Sequence, residues 1–137
     1  MSSIFTKIVN GEIPSYKIAE DDRFYAFLDI NPLAVGHTLV IPKKEVDYIL
    51  DMDDDLHADL WNFAKKAGKA VEKVVPCKRI GITVIGLEVP HTHIHIIPIN
   101  TIYDMDFNQP KLKLAAPEFE QLVINITKAW KELGFGE

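Results

Sequence analysis

The chain has 137 residues, of which 47% are hydrophobic and 26% are charged, a length and balance that suit one globular domain with its own core. The net charge of −5 argues against broad electrostatic capture of nucleic acid, so any bound phosphate must be held by a local arrangement of side chains. The single cysteine, Cys77, excludes an internal disulfide, and no apolar run is long enough to span a membrane, so we expect a cytoplasmic protein.

Three elements are predicted near the start of the chain. The spacing of apolar residues over 4–9 predicts a short helix that ends at Asn10-Gly11. Residues 16–19 and 23–30 each have the composition of a strand, and an acidic turn joins them. Asp29 is unusual at the end of an apolar strand, because a carboxylate in such surroundings needs a partner or a function.

A third strand is predicted over 36–42, with His37 near its start. Residues 53–75 predict the longest helix, because apolar residues recur at every third or fourth position. Acidic residues at the start of this helix and lysines in its second half match the helix dipole. Alternation over 78–86 predicts a fourth strand, and a short link that ends at Pro90 leads to the next one.

The segment His91-Thr92-His93-Ile94-His95-Ile96-Ile97-Pro98 alternates histidine with apolar or β-branched residues, and this period of two predicts a fifth strand. In such a strand the three histidines would share one face at intervals of about 6–7 Å, with the spacers facing a core. We therefore expect the histidines to line a cleft.

Three kinds of site could use such a row of imidazoles. They could bind a metal, although Cys77 is alone and the acids Glu88, Asp104 and Asp106 have no metal-ligand spacing. They could perform nucleophilic chemistry, in which one histidine attacks and its neighbours share protons that set its charge, and this is the favoured interpretation. They could also form only the polar face of an exposed strand.

The remainder of the chain is irregular until its last helix. Residues 100–114 predict a loop with a possible short strand, in which Lys111 and Lys113 are solvated or, alternatively, contact a substrate phosphate. Pro117 begins a final helix, which ends at Gly134. The predicted class is α+β, with a five-stranded, mainly antiparallel sheet, a long packing helix and a C-terminal helix.

The histidine segment resembles the motif of the histidine triad (HIT) family, His-x-His-x-His-x-x with apolar residues at x, although Thr92 is only partly apolar. The other matching segments are Ile4-Phe5 through Lys7-Ile8, Gly11-Glu12-Ile13-Pro14, Ala26-Phe27-Leu28-Asp29-Ile30 and Gly36-His37-Thr38-Leu39-Val40-Ile41-Pro42-Lys43-Lys44. Together they cover most of residues 4–98 and are most similar to the Hint-like branch. The resemblance implies one HIT domain over 1–137 with a C-terminal helical extension. It also implies dimers that join two five-stranded sheets.

Members of this branch cleave nucleoside phosphoramidates and related nucleotidyl compounds, and the resemblance implies a role for each histidine. His93 resembles the nucleophile that attacks the α-phosphorus and becomes transiently nucleotidylated, and His95 resembles the contact to a phosphate oxygen. His91, backed by His37, resembles the relay that orients His93 and sets its tautomer. Neutral imidazole suits this chemistry, because it approaches negative phosphate oxygens without adding charge repulsion.

The resemblance also implies a nucleotide-binding pocket. Asp29 lies at the position that binds ribose hydroxyls in the family. In the family, apolar residues clamp the purine base. The matching positions here hold Ile4, Phe5, Ile8, Phe27, Ile30 and Leu39, and we add Val89 to this set.

Two regions depart from the family pattern. Many members carry a zinc site formed by Cys-x-x-Cys and a later histidine, but here Ser3, Thr6 and Glu45 occupy those positions, so we predict no structural metal and no cofactor. The loop before the histidines is shortened, with Thr83 in place of an asparagine and Leu87 in place of a polar residue.

The expected function is that of a homodimeric nucleotide hydrolase or transferase acting at the α-phosphate of a purine nucleoside phosphoramidate or related compound, without binding nucleic acid or membranes. Hydrolysis of dinucleoside polyphosphates is the alternative substrate class, because the poorly matched residues 100–116 would set the leaving group. The remaining alternatives are a nucleotide-binding module with little turnover and a metal-dependent enzyme.

Overall fold

One antiparallel sheet organises residues 2–136, the part of the chain that this computed structural model describes. Its strands are β1 (Lys17–Glu20), β2 (Phe24–Leu28), β3 (Thr38–Pro42), β4 (Arg79–Thr83) and β5 (Ile94–Ile99), in the spatial order β1-β2-β3-β5-β4. The helices are α1 (Ile4–Val9), α2 (Asp54–Val74) and α3 (Ala116–Glu132), with short 3₁₀ helices at Ile49–Asp51 and Ile102–Met105. The predicted α+β fold with five strands is confirmed.

An apolar cluster lies on each face of the sheet, so that β2 and β3 are buried on both faces. On one face Phe24 packs into a large cluster with α2 and α3, and on the other Phe27 packs into a smaller cluster with α1. His95 is the register partner of Leu39, which belongs to the smaller cluster. Since paired residues of neighbouring strands project to the same face, the His95 side chain lies on the α1 side of the sheet.

The two predicted helices over 4–9 and 53–75 agree closely with α1 and α2. The side chain of Asp53 caps α2 by accepting a hydrogen bond from the Leu56 amide, and the apolar stripe of α2 packs on the sheet. The final helix α3 packs against α2 and β1, and its Ile126 and Trp130 are buried there. No helix within residues 2–136 is both long and apolar enough to cross a bilayer.

Gly36 allows the chain to enter β3 close to the end of α2. Its φ is +89°, and a Cβ at this position would lie 2.8 Å from Cγ2 of Val75. We expect Gly36→Ala to lower the free energy of unfolding by about 1–3 kcal/mol, measured by urea denaturation. Gly11→Ala is the matched control, because Gly11 also has a positive φ (+79°) but nothing lies within 4 Å of its Cβ position. Equal losses in the two variants would contradict a contribution from the contact with Val75.

The histidine strand is shorter than predicted, because β5 begins at Ile94 and leaves His91 and His93 outside it. The β3–β5 register pairs Val40 with Ile94, so that Thr92 would come opposite Pro42. Proline has no amide hydrogen for the ladder. The Thr92 amide and hydroxyl instead donate to the carbonyl of Val46, at 2.7 Å each, and draw the chain away from β3. The prediction that this strand begins at His91 was therefore wrong.

Two loops also differ from the sequence-based expectation. The predicted strand over 78–86 ends at Thr83, and the link that follows has no regular structure. Residues 100–114 contain a 3₁₀ helix rather than a short strand, because the Asp104 carboxylate accepts hydrogen bonds from the amides of Asn100 (2.7 Å) and Thr101 (2.9 Å). That cap favours a helical turn at the position.

Candidate active site

His93 has a defined tautomer with a free ring nitrogen. Its Nδ1 lies 2.8 Å from the carbonyl oxygen of His91, and since a carbonyl only accepts, Nδ1 carries the hydrogen and donates it. In the neutral ring, Nε2 then holds the lone pair. No protein hydrogen bond reaches this nitrogen within residues 2–136, and in that part no buried side-chain nitrogen or oxygen lacks a partner, so Nε2 is open to solvent. The ring is buried except for this access.

A chain of two hydrogen bonds runs from the Leu33 amide through His37 to His95. The Leu33 amide donates to Nδ1 of His37 at 3.0 Å, so the hydrogen of His37 lies on Nε2. That Nε2 is 3.0 Å from Nδ1 of His95 and donates to it, which leaves the hydrogen of His95 on its own Nε2. Within residues 2–136 this last N–H has no protein acceptor, so it can donate to a ligand. The His93 and His95 ring centroids are 5.0 Å apart.

Burial keeps the histidines around this site neutral. It lowers the pKa of His37 to about 3, with smaller contributions from the charges of His95 and Lys111. It lowers the pKa of His95 to about 4, with a contribution from His93. Burial also lowers the pKa of His91. At neutral pH these three rings are therefore uncharged, and their tautomers follow from the hydrogen bonds alone.

His91 contributes its main chain to His93 and its ring to a different network. Its Nε2 donates to the Pro42 carbonyl at 2.7 Å, and its Nδ1 accepts from the Ser3 hydroxyl at 2.7 Å. The predicted pairing of His91 with His37 was wrong, because His37 bonds to His95 instead. The β3–β5 register brings His37, which directly precedes β3, near His95 rather than near His91.

Ser3, Thr6 and Glu45, which occupy the positions of metal ligands in many HIT proteins, do meet at the His91 ring. One carboxylate oxygen of Glu45 accepts hydrogen bonds from the Ser3 amide and the Thr6 hydroxyl, both at 2.7 Å. Of the four side chains in this set, Ser3 and Thr6 offer hydroxyls. Hydroxyls are poor zinc ligands, since structural zinc is held by thiolate and imidazole. The set does not fit zinc and works as a hydrogen-bonded support for α1 and His91.

Ser3 has two functions in this support, as the N-cap of α1 and as the donor to the buried His91 ring. We expect Ser3→Ala to lower the free energy of unfolding by about 1–3 kcal/mol, because it removes a cap and the 2.7 Å hydrogen bond to Nδ1 of His91, for which the Thr6 hydroxyl at 3.4 Å is a weaker substitute. Urea denaturation at pH 7 measures this. Ser3→Thr, which keeps the hydroxyl, should recover most of the loss, and Ser2→Ala at the exposed neighbour should cost little. An unchanged midpoint for Ser3→Ala would contradict the assignment.

Asp29 lies directly after β2, beside His37 and half-buried. One carboxylate oxygen accepts from the Asn31 amide at 2.8 Å and the other is 3.6 Å from Nε2 of His37. Burial raises the pKa of Asp29, against the opposing effects of the Asn31 amide and the charges of His93 and Lys111. Because His37 is neutral, this approach is not an ion pair, and Asp29 keeps acceptor capacity for a ligand.

The same corner holds a group of side chains with metal-ligand atoms. Asp29, His37 and His95 each offer one ligand atom, and these atoms lie within 4.8 Å of one another. The Leu33 amide occupies Nδ1 of His37, so the nitrogen that faces the cluster carries a hydrogen rather than a lone pair. This donor set therefore does not fit a metal ion without a different tautomer of His37.

Most of the predicted apolar clamp lies in the smaller cluster beneath the histidines. Phe5, Ile8, Phe27 and Leu39 are buried there, with Val89 packed against them. The Phe5 ring contacts the rings of His93 and His91, with centroids 5.0 and 5.8 Å apart. Ile4 and Ile30 lie outside the cluster and are 49% and 64% exposed.

Sequence reasoning missed the residue that closes the opposite side of the site. The Phe107 ring contacts His95 edge-on, with centroids 4.8 Å apart, and lies 6.2 Å from His37. Phe107 lies in a segment without periodicity, and its contacts are with residues far away in the chain. Its aromatic side chain was the available signal, and nothing in the neighbouring residues distinguishes it from that of Tyr103.

Comparisons with known proteins agree with this fold. Residues 10–102 match the HIT domain. An uncharacterised HIT-like protein of Borreliella burgdorferi is 42% identical over 132 residues, which cover 90% of this chain and 95% of that protein. An adenosine 5′-monophosphoramidase of Schizosaccharomyces pombe is 38% identical over 125 residues, which cover 89% of this chain and 93% of that enzyme.

Solved structures give the same result. A zinc-bound histidine triad family protein from Mycobacterium smegmatis has a TM-score of 0.81 at 26% identity, over 100% of this chain and 99% of that one. A Hit-like protein from Bartonella henselae, described as involved in cell-cycle regulation, has a TM-score of 0.79 at 33% identity, over 93% of this chain and 96% of that one. The chain belongs to the histidine triad (HIT) family.

Proposed function

We propose that this protein is a nucleotide hydrolase or transferase that cleaves at the α-phosphate of a purine nucleoside phosphoramidate or related nucleotidyl compound. The intermediate in this proposal is nucleotidyl-His93. The similarity to an adenosine 5′-monophosphoramidase supports the substrate class and the Hint-like branch. The observation that carries the proposal is the His93 tautomer, because the hydrogen bond from Nδ1 to the His91 carbonyl leaves the lone pair on the accessible Nε2.

The reaction has two displacements at phosphorus. In the first, Nε2 of His93 bonds to the α-phosphorus, and the bond to the leaving group breaks with its electron pair passing to that group, which takes up a proton from solvent when it is an amine. In the second, water attacks the same phosphorus and gives up a proton to solvent, the P–N bond breaks, and His93 regains its lone pair as nucleoside monophosphate is released. A covalent step divides one difficult hydrolysis into two easier reactions.

His95 is suited to stabilise the charge that develops on the phosphoryl oxygens. Its free Nε2–H adjoins His93, and the hydrogen bond from His37 holds the ring in the tautomer that donates from this position. We assign Asp29 to the ribose hydroxyls and the apolar cluster around Phe5 to the base. Acceptor capacity at Asp29 and the contact of Phe5 with His93 support these assignments.

Rapid-quench mass spectrometry with a panel of adenosine 5′-phosphoramidates tests the proposal. During turnover we expect a nucleotidyl adduct, quenched at alkaline pH and located on His93 by peptide fragmentation. Adduct formation should precede product release, with product formed at the rate at which the adduct decays. Turnover with no adduct on any histidine, at times when the first product has already appeared, would overturn the covalent mechanism.

We further propose that the protein forms a homodimer through β4. Within residues 2–136 the outer edge of β4 pairs with no strand, and its Ile82 is 44% exposed. Light scattering should give twice the chain mass of 15.5 kDa, and Ile82→Lys should give the mass of one chain. A wild-type protein with the mass of a single chain at micromolar concentration would contradict the dimer.

A further inference from the structure

The segment between the second 3₁₀ helix and α3 crosses the histidine site and is anchored at both ends. Just before it, Met105 at the end of the 3₁₀ helix packs into the space left by Gly81, where a Cβ would lie 2.3 Å from the methionine sulfur. At its end, the Leu112 amide donates to the Pro32 carbonyl at 2.8 Å. Residues 106–111 therefore form an ordered wall beside the site.

The wall and α1 contact different histidines. Phe5 of α1 contacts His91 and His93, whereas Phe107 of the wall contacts His95 and His37. The apolar cluster that suits a base lies under Phe5, so the wall borders the side away from that cluster. A substrate whose α-phosphate lies between His93 and His95 would place groups beyond the phosphate near Phe107.

Lys111 brings a positive charge to this side of the site. Its ammonium group donates to the carbonyls of Phe107 and Gln109 and lies 5.9 Å from the Phe107 ring centroid. It forms no ion pair with a carboxylate within residues 2–136. Its field reaches the site, because its charge contributes to lowering the pKa of His37 and opposes the rise of the Asp29 pKa.

We infer that Lys111, held beside Phe107, is a specificity-determining residue that selects substrates carrying negative charge beyond the α-phosphate, such as a further phosphate. The inference rests on the proposed function and names the leaving group that this site prefers. When the bond from the α-phosphorus to a bridging oxygen breaks, the electron pair passes to that oxygen and the leaving phosphate gains negative charge. An ammonium group held beside the departing phosphate would stabilise this charge, whereas it gives no such help to an amine that leaves uncharged after protonation.

Lys111 has one structural function that could explain its position without any substrate. By donating to two carbonyls of its own turn, it stabilises that turn, and its loss could disorder the wall. The two explanations differ in the outcome for paired substrates. A disordered wall would lower activity on all leaving groups together, whereas loss of a charge contact would lower it selectively for anionic ones.

The test compares kcat/KM for two substrates with the same nucleoside, adenosine 5′-monophosphoramidate and diadenosine tetraphosphate. Lys111→Met should lower kcat/KM for the tetraphosphate about tenfold and change that for the phosphoramidate less than about twofold. Lys111→Arg should retain most of the activity on the tetraphosphate. Lys113→Met is the matched control, since Lys113 is an exposed lysine of the same segment, and it should change neither value.

The outcomes separate this inference from the proposed function. Turnover of both substrates with equal losses in Lys111→Met, or with the same selective loss in Lys113→Met, overturns the inference and leaves the function intact. If neither substrate is turned over, the proposed function fails, and calorimetry then compares AMP with ADP. Tighter binding of ADP that disappears in Lys111→Met sustains the charge selection, and equal wild-type affinities for the two nucleotides overturn it.

Discussion

Replacing His93 with alanine should lower turnover by about three to six orders of magnitude and leave the protein folded. The loss is large because Nε2 of His93 is the proposed bond-forming atom, and His95 has no comparable lone pair directed at the ligand. Within residues 2–136 the ring makes one protein hydrogen bond, to the His91 carbonyl, so its removal costs stability only modestly. Single-turnover kinetics with an adenosine 5′-phosphoramidate measures the chemical step.

His93→Asn separates this chemistry from the packing of the ring. The amide of asparagine can still donate to the His91 carbonyl but carries no nucleophilic nitrogen. We expect His93→Asn to be as inactive as the alanine variant, with an unfolding midpoint near the wild-type value. His57→Ala, on α2 and away from the site, is the control and should keep full activity. A His93→Asn variant with turnover within tenfold of wild type would contradict the assignment of the nucleophile.

The protein should lose stability steeply as the pH falls from 6.5 towards 4. In the folded state the pKa of His37 is about 3 and that of His95 about 4, both below the ordinary value of 6.5. Between those values the unfolded chain binds protons that the folded chain does not, so acid favours unfolding by up to about 1.4 kcal/mol per pH unit for each histidine. The lowered pKa of His91 acts in the same direction, and the raised pKa of Asp29 opposes it at more acidic pH.

Urea denaturation at pH 7, 6, 5 and 4.5 measures this effect, provided that the m-value stays constant. We expect the free energy of unfolding to be nearly flat above pH 7 and to fall progressively below pH 6.5. His95→Asn removes one of the two strongly shifted groups, so its curve should fall with a visibly smaller slope. Equal midpoints at pH 7 and pH 5 in the wild-type protein would show that these histidines do not stay neutral when buried.

Local patterns predicted the elements whose stability is mostly local. The apolar stripe and acidic start of α2 identify it within a residue, since its Asp53 cap and helical spacing are encoded in neighbouring positions. The end of α1 at Asn10-Gly11 was predicted for the same reason. Alternation placed β2 and β3 correctly, apart from one or two residues at their ends.

The errors lie where a distant contact overrides the local pattern. Alternation in the histidine segment favours a strand from His91. However, Thr92 would lie opposite Pro42 in the ladder, and the Thr92 amide donates to the Val46 carbonyl instead. The 3₁₀ helix at Ile102–Met105 depends on a side-chain cap and on the space above Gly81, which no periodicity records. At the histidine segment the decisive partner is far away in the chain, whereas at the 3₁₀ helix the local Asp104 cap acts together with the distant contact between Met105 and Gly81.

The sequence by itself determined the family and the absence of cysteine ligands at positions 3 and 6, because these depend only on which residues are present and in what order. Only the tertiary structure decided how the site residues are paired. It joins His37 to His95, attaches the His91 ring to Ser3 and Pro42, and brings Phe107 against His95. The physical reason is that each tautomer is set by the hydrogen-bond partner of its second nitrogen, and those partners come from strands and loops that meet only when the sheet has formed.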